Sequence, residues 1–140
     1  MPSIRLTDCV TRLADAWLSI QEQFERERPD RRLLVTATYR EPEEQFRLYQ
    51  VGRRQRADGA WVVDEDPKTA IVTQLDGTKR RSKHNTRPAD ALDFCVLVGG
   101  KVSWDRREYE PVGPLARARG LVWGGDWRTI PDCPHVEIPG

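Results

Sequence analysis

Apolar residues at Val10, Leu13, Ala14, Trp17 and Phe24 recur at helical spacing, so residues 7–28 predict an amphipathic helix. Thr7 or Asp8 is its expected N-cap, and Pro29–Asp30 its stop. The period then changes. Leu33–Tyr39 is a run of apolar and β-branched residues and predicts a strand. The stretch that follows Arg40 opens on acids with Pro42 in the first turn and closes on Gly52, the arrangement of a short helix with Phe46 and Tyr49 on its buried side. Arg53, Arg54, Arg56, Asp58 and Gly59 read as an exposed loop, followed by strands at Ala60–Val63 and Thr69–Leu75 and a turn at Asp76–Gly77.

Ala91–Val98 is the most strand-like run of the chain, and after Gly99–Gly100 the segment Lys101–Trp104 is placed to pair back on it. Glu108–Arg119 fits an interrupted helix with Gly120 just past its end. Leu121–Trp123 and His135–Ile138 predict two last short strands. Helices early and strands throughout give an α+β class: a small single domain over residues 1–140, with a largely antiparallel sheet and flanking helices.

Composition narrows the function. A chain of 140 residues is one domain's worth. Charged residues make up 32%, above the roughly 25% of an average protein, yet Lys plus Arg (23) nearly balance Asp plus Glu (22), leaving a net charge of +1. That balance argues against a nucleic-acid binder built on the Arg53–Arg56 and Lys79–Arg81 clusters, and runs of this kind are usually solvated surface. No apolar stretch approaches the ~20 residues that cross a bilayer, and the charged N-terminus is unlike a secretory signal. Synthesis in the cytoplasm without a signal peptide, and no membrane insertion, are the expectations. Three dispersed cysteines, Cys9, Cys95 and Cys133, form no disulfide framework and are expected as reduced thiols.

The chemistry concentrates on the only two histidines. His84 lies in the polar turn Ser82-Lys83-His84-Asn85, and nine residues later Asp93 interrupts the apolar start of the Ala91–Val98 strand. A carboxylate buried there needs a cation, hydrogen-bond donors or a metal. An arginine alone would satisfy it. His135 opens the last strand, three residues after Asp132. Two imidazoles and one carboxylate make the ligand set of a catalytic zinc, whose open fourth position brings a water's pKa down to about 7. A further carboxylate is then wanted as general base, and both Asp132 and Glu137 are near.

These residues resemble the signature of the D-Ala-D-Ala metallopeptidase and L-alanyl-D-glutamate endopeptidase family, the VanY-type and phage-endolysin-type zinc peptidases that cut peptidoglycan stem peptides. Ser82-Lys83-His84 with Ala91-Leu92-Asp93 is similar to the family's Ser-x-His and Ala-x-Asp, and Asp132-Cys133-Pro134-His135 to its acid-x-x-His. Tyr39-Arg40 with Gln45 resembles an upstream Tyr-Arg segment, and Gly120–Trp127 the block that precedes the last ligand in the endolysin branch. The likeness covers about residues 33–138. The common form has a Gly in the turn and a shorter His-to-Asp spacing; Arg87-Pro88-Ala89-Asp90 occupies that turn here, which leaves Asp90 as a lesser alternative to Asp93.

The resemblance implies a hedgehog-like and D-Ala-D-Ala-peptidase-like fold and one Zn2+ held by His84, Asp93 and His135. It implies Asp132 as general base, Arg40 as the partner of the scissile carbonyl, and Ser82, Gln45 and Trp127 as substrate contacts. Trp123 is either a second cleft wall or core packing. The implied partner is the peptidoglycan stem peptide, met by a monomer at the cell wall after release through a holin-type lesion. L-alanyl-D-glutamate endopeptidase activity is expected, with D-Ala-D-Ala carboxypeptidase and a noncatalytic zinc-containing wall-binding module as alternatives. A binding module would need neither Asp132 nor Arg40.

Overall fold

The computed structural model describes residues 1–64 and 70–140. The N-terminal periodicity folds as α1 (Thr11–Glu27), after a 3-10 turn at Leu6–Asp8. Its buried stripe is Leu13, Trp17, Ile20 and Phe24, spaced by four, three and four residues. The helix begins later than its polar residues suggest. Val10 stands at the N-cap without a side-chain bond. Asp8 is used elsewhere, accepting from Ser3 Oγ at 2.5 Å and pairing with Arg5 at 3.4 Å.

The elements that follow are β1 (Arg31–Ala37), α2 (Pro42–Gln50), β2 (Arg53–Gln55), β3 (Trp61–Val63), β4 (Ala91–Val98), β5 (Lys101–Ser103), α3 (Arg106–Tyr109), α4 (Val112–Ala118), β6 (Val122–Trp123) and β7 (His135–Glu137). The main sheet runs β1-β4-β7-β6, with β5 also paired to β4, and every pairing is antiparallel. The expected α+β architecture is therefore present. Leu92, Phe94 and Val96 point from β4 into a core closed by α1, α4 and Tyr109. Phe94 is fully buried between Trp17, at 4.8 Å between ring centroids, and Tyr109, at 5.7 Å. The free edge of β1 is blunted by α1: Leu33 N–H donates to Glu25 at 2.9 Å, and its carbonyl accepts from Gln21 at 3.0 Å.

Three expectations change. Arg53–Gln55, read as loop, is strand β2, which forms a two-stranded hairpin with β3. Of the strand expected at Thr69–Leu75, Thr69 lies outside the described residues, and 70–75 is irregular chain rather than sheet. The fully buried residue of α2 is Gln45, not Phe46 or Tyr49. Those two rings are half-buried, 6.3 Å apart, with Trp61 of β3 edge-on to Phe46 at 5.9 Å. The inner side of α2 meets polar groups rather than the apolar core, so a glutamine is what it needs there.

Alternation along β4 decides where chemistry is placed. With Leu92, Phe94 and Val96 turned to the core, Ala91, Asp93 and Cys95 face the opposite side of the sheet. β7 pairs Asp93 directly with His135 and Ala91 with Glu137, so His135 and Glu137 share that face. On the other flank Ala37 pairs with Asp93 after an irregularity between Val35 and Ala37, and this brings Thr38 and Arg40 to the same end of the sheet.

Candidate metal centre and active site

His84 reaches this face from the 3-10 turn Lys83–Asn85, which a reciprocal cap holds rigidly. Ser82 Oγ accepts from His84 N–H at 3.1 Å, and Asn85 Oδ1 accepts from Ser82 N–H at 2.9 Å. Asn85 also donates to the Arg40 carbonyl at 2.7 Å, and Arg40 N–H donates to the His84 carbonyl at 2.7 Å. The turn is thus stitched to the segment that carries Arg40.

The donor atoms of His84, Asp93 and His135 lie within 4.8 Å of one another. Asp93 Oδ1 stands 3.1 Å from His84 Nε2 and 2.9 Å from His135 Nδ1. The outer nitrogen of each ring is committed: His84 Nδ1 lies 2.7 Å from the Thr38 carbonyl and His135 Nε2 lies 2.8 Å from Glu137 Oε1. Because a carbonyl only accepts, His84 carries a proton on Nδ1, and in its neutral form it presents the Nε2 lone pair inward; Glu137 does the same for neutral His135, leaving Nδ1 inward. Two inward imidazole nitrogens, one carboxylate oxygen and an outer acceptor behind each ring are what a zinc site requires, and these residues fit the ion.

Electrostatics follow from that geometry. With no ion between them the inward nitrogens can also be protonated. Burial alone would raise the Asp93 carboxyl, but hydrogen bonds from the protonated His135 and His84 and their charges then hold it far below the usual carboxylate range. Burial alone would lower His135, yet its hydrogen bonds to Asp93 and Glu137 prevail and push it up to about 9. Arg40 supports Asp93 from the other side, donating from Nη2 to Oδ2 at 3.1 Å and from Nη1 to Gln45 Oε1 at 2.8 Å.

Asp132 Oδ2 is 3.8 Å from His135 Nδ1, beyond hydrogen-bond range, and its side chain is partly open to the cleft. Burial raises its carboxyl, the charge of His135 opposes that, and the net shift is upward. The Gly-rich segment before it has a steric role. Asp132 N–H donates to the Gly124 carbonyl at 2.9 Å, and a Cβ on Gly124 would stand 2.2 Å from the Asp132 carbonyl oxygen. A Cβ on Gly125 would stand 2.2 Å from the Trp123 ring. Only glycine lets the chain pass this closely, which gives a physical reason for the Trp123-Gly124-Gly125 sequence.

These groups line an open cleft of about 850 Å³ whose walls include the 71–75 segment and the 129–132 loop. Residues 76–138 match the model of a family described as D-alanyl-D-alanine carboxypeptidase. The peptidoglycan L-alanyl-D-glutamate endopeptidase CwlK of Bacillus subtilis is 28% identical over 116 residues, covering 76% of this chain. This chain spans 60% of the length of that relative. Both likenesses point to the D-Ala-D-Ala metallopeptidase and L-alanyl-D-glutamate endopeptidase family that the sequence resembles. The crystal structure of the Serratia marcescens L-Ala D-Glu endopeptidase ChiX shares the fold of this chain, with a TM-score of 0.58 and 21% identity over 96% of this chain and 83% of that one.

The structure brings His84, Asp93, His135, Asp132, Arg40 and Trp127 to one cleft. The Trp127 ring lies 5.0 Å from the His135 ring. Asp90 is not part of the cluster: its carboxylate accepts from Thr86 Oγ1 at 3.3 Å. Trp123 is core, 4% exposed, with its indole N–H on the Cys133 carbonyl at 2.7 Å. The two other expected substrate contacts, Gln45 and Ser82, line the cleft and are also bonded within the chain. Gln45 lines the cleft, but its amide accepts from Arg40 and donates to Thr73 Oγ1 and the Leu75 carbonyl, and Ser82 caps His84.

Glu137 also has a different place from the one its strand position allows. It shares the face with His135 but lies behind the ring, with Oε2 on Lys83 Nζ at 2.8 Å. Lys83 donates to the Ile138 carbonyl as well. The supporting roles of Thr38, Glu137 and Lys83 were not read from the sequence. Only the alternation of His135 and Glu137 along a strand pointed to one of them.

Proposed function

We propose that this chain is a zinc-dependent peptidase that hydrolyses the L-Ala–D-Glu amide bond of peptidoglycan stem peptides. The observation that carries the reading is the convergence of His84 Nε2, His135 Nδ1 and the Asp93 carboxylate within 4.8 Å, beside a carboxylate that bonds to none of them. His84, Asp93 and His135 would hold the ion, whose Lewis acidity polarises a carbonyl and acidifies a water. Asp132 takes the proton of the attacking water and returns it to the leaving amine, a task that its raised pKa suits. Arg40, held by Gln45 and Asp93, has N–H groups left over to meet the oxygen on which negative charge develops. Trp127 supplies an apolar wall.

Asp132 and the supported Arg40 favour catalysis over a binding module. The choice of bond rests on the activity of the Bacillus relative, an L-alanyl-D-glutamate endopeptidase. A phage-type lytic role is the finer form of the same proposal. The test is mass spectrometry of purified stem peptides after incubation with the protein, with and without a chelator. Release of peptide beginning at D-Glu, stopped by the chelator and restored by zinc, supports the proposal. Free D-alanine as sole product points to the carboxypeptidase reaction instead.

A further inference from the structure

Among the described residues, three cationic side chains line the cleft: Arg40, Lys83 and Arg81. The first two are already engaged at the metal cluster, Arg40 beside Asp93 and Lys83 behind His135. Arg40 is bound to Asp93 and Gln45, and Lys83 to Glu137 and the Ile138 carbonyl. Arg81 makes no hydrogen bond or ion pair with any described residue and is exposed at the rim. Its backbone is nonetheless well placed. On one side Asp76 Oδ1 accepts from Thr78 N–H and Arg80 N–H, both at 2.9 Å. On the other, Ser82 caps the turn that holds His84. An arginine fixed at its Cα, free at its guanidinium and three residues from a metal ligand is a preorganised receptor for an anion on the substrate.

Substrate chemistry says which anion. In a stem peptide D-Glu is joined onward through its γ-carboxyl, so its α-carboxylate is free and sits on the carbon that carries the scissile nitrogen. We propose that Arg81 binds this carboxylate and thereby selects an unamidated D-residue on the leaving side of the cut. The inference rests on the peptidase reading above and adds a specificity determinant to it. A terminal D-Ala carries a free carboxylate at the same position relative to its scissile nitrogen, so the chemistry is shared by two sources, of which D-Glu is the one assigned.

The test uses the full zinc-loaded chain and two synthetic stem peptides, alike except that D-Glu carries its α-carboxylate in one and an α-carboxamide in the other. Wild type is expected to prefer the carboxylate peptide by about ten- to a hundredfold in kcat/KM, the range of a charge-assisted contact. Arg81→Gln should bring that ratio close to one, and Arg81→Lys should keep part of it, because lysine retains the charge without the planar fork. The ratio is internal to each variant, so a loss of folded protein does not move it. A wild-type ratio near one, or an Arg81→Gln ratio equal to wild type, overturns the proposal while the peptidase reading stands. If zinc-loaded wild type cuts neither peptide, the peptidase reading fails and this one with it. A third arm is a pentapeptide ending in D-Ala-D-Ala. Arg81-dependent release of D-alanine there, without cleavage at D-Glu, would overturn the assignment to D-Glu.

Discussion

Asp132→Asn and Glu137→Gln should fail in opposite ways, because the two acids stand on opposite sides of the same imidazole. Asp132 lies on the cleft side, 3.8 Å from His135 Nδ1 and bonded to no ligand. Its amide keeps size and fold, so zinc affinity should change no more than a few-fold. The proton acceptor is gone, and kcat/KM should fall by about 10²–10⁴, the usual contribution of a general base, or roughly 2.7–5.4 kcal/mol in the barrier. Glu137 lies behind the ring, its oxygens 2.8 Å from His135 Nε2 and 2.8 Å from Lys83 Nζ. Glutamine can still accept from His135, but it sets an NH2 against the Lys83 ammonium and removes the charge that makes the imidazole a stronger donor. Loss of such an outer partner typically weakens metal binding by about 10–100-fold. Competition with a chromophoric chelator gives the zinc affinity, and cleavage at saturating zinc gives kcat/KM. Glu137→Gln should approach wild-type rates once zinc is saturating, and Asp132→Asn should not. An active Asp132→Asn beside a dead, zinc-loaded Glu137→Gln would refute the assignment of roles.

Gly124→Ala should cost about 1–3 kcal/mol in urea unfolding and most of the activity, since its Cβ meets the Asp132 backbone, which has no side-chain freedom to yield. Phe94→Ala, which empties the space between Trp17 and Tyr109, should cost about 3–5 kcal/mol, read from the denaturant midpoint at constant m. Glu108 is held below its usual pKa by the two-point contact of Arg31, with Nε–Oε2 2.6 Å and Nη2–Oε1 3.2 Å. A depressed carboxylate adds stability above its unfolded pKa and loses it as pH falls through the folded one. Glu108→Gln should therefore lower the melting temperature slightly at pH 7, and the difference should shrink as pH falls below the usual carboxylate range. Burial pushes the Cys9 thiol up to about 11, so it should resist alkylation at pH 8 in the native protein and react only after unfolding.

Local pattern made several parts of this molecule legible. The Ala91–Val98 strand and its hairpin to Lys101–Ser103 lie where apolar runs and paired glycines put them. Asp93 was conspicuous because a carboxylate among core residues demands partners, and with only two histidines in the chain the ligand set had few alternatives. What stayed hidden depends on long-range register. The Thr38 carbonyl reaches His84 because of an irregularity in β1. The role of Gln45 follows from where residues 73–75 cross α2. Arg53–Gln55 looked like loop because an exposed two-stranded hairpin needs no apolar alternation.

The claim on which the rest depends is that His84, Asp93 and His135 together hold one zinc ion. The measurement that meets it most directly is the metal content of purified, folded wild type, His84→Ala and His135→Ala by elemental analysis. One zinc per wild-type chain and nearly none in either variant is the predicted result. Stoichiometric zinc retained by either alanine variant would contradict the account.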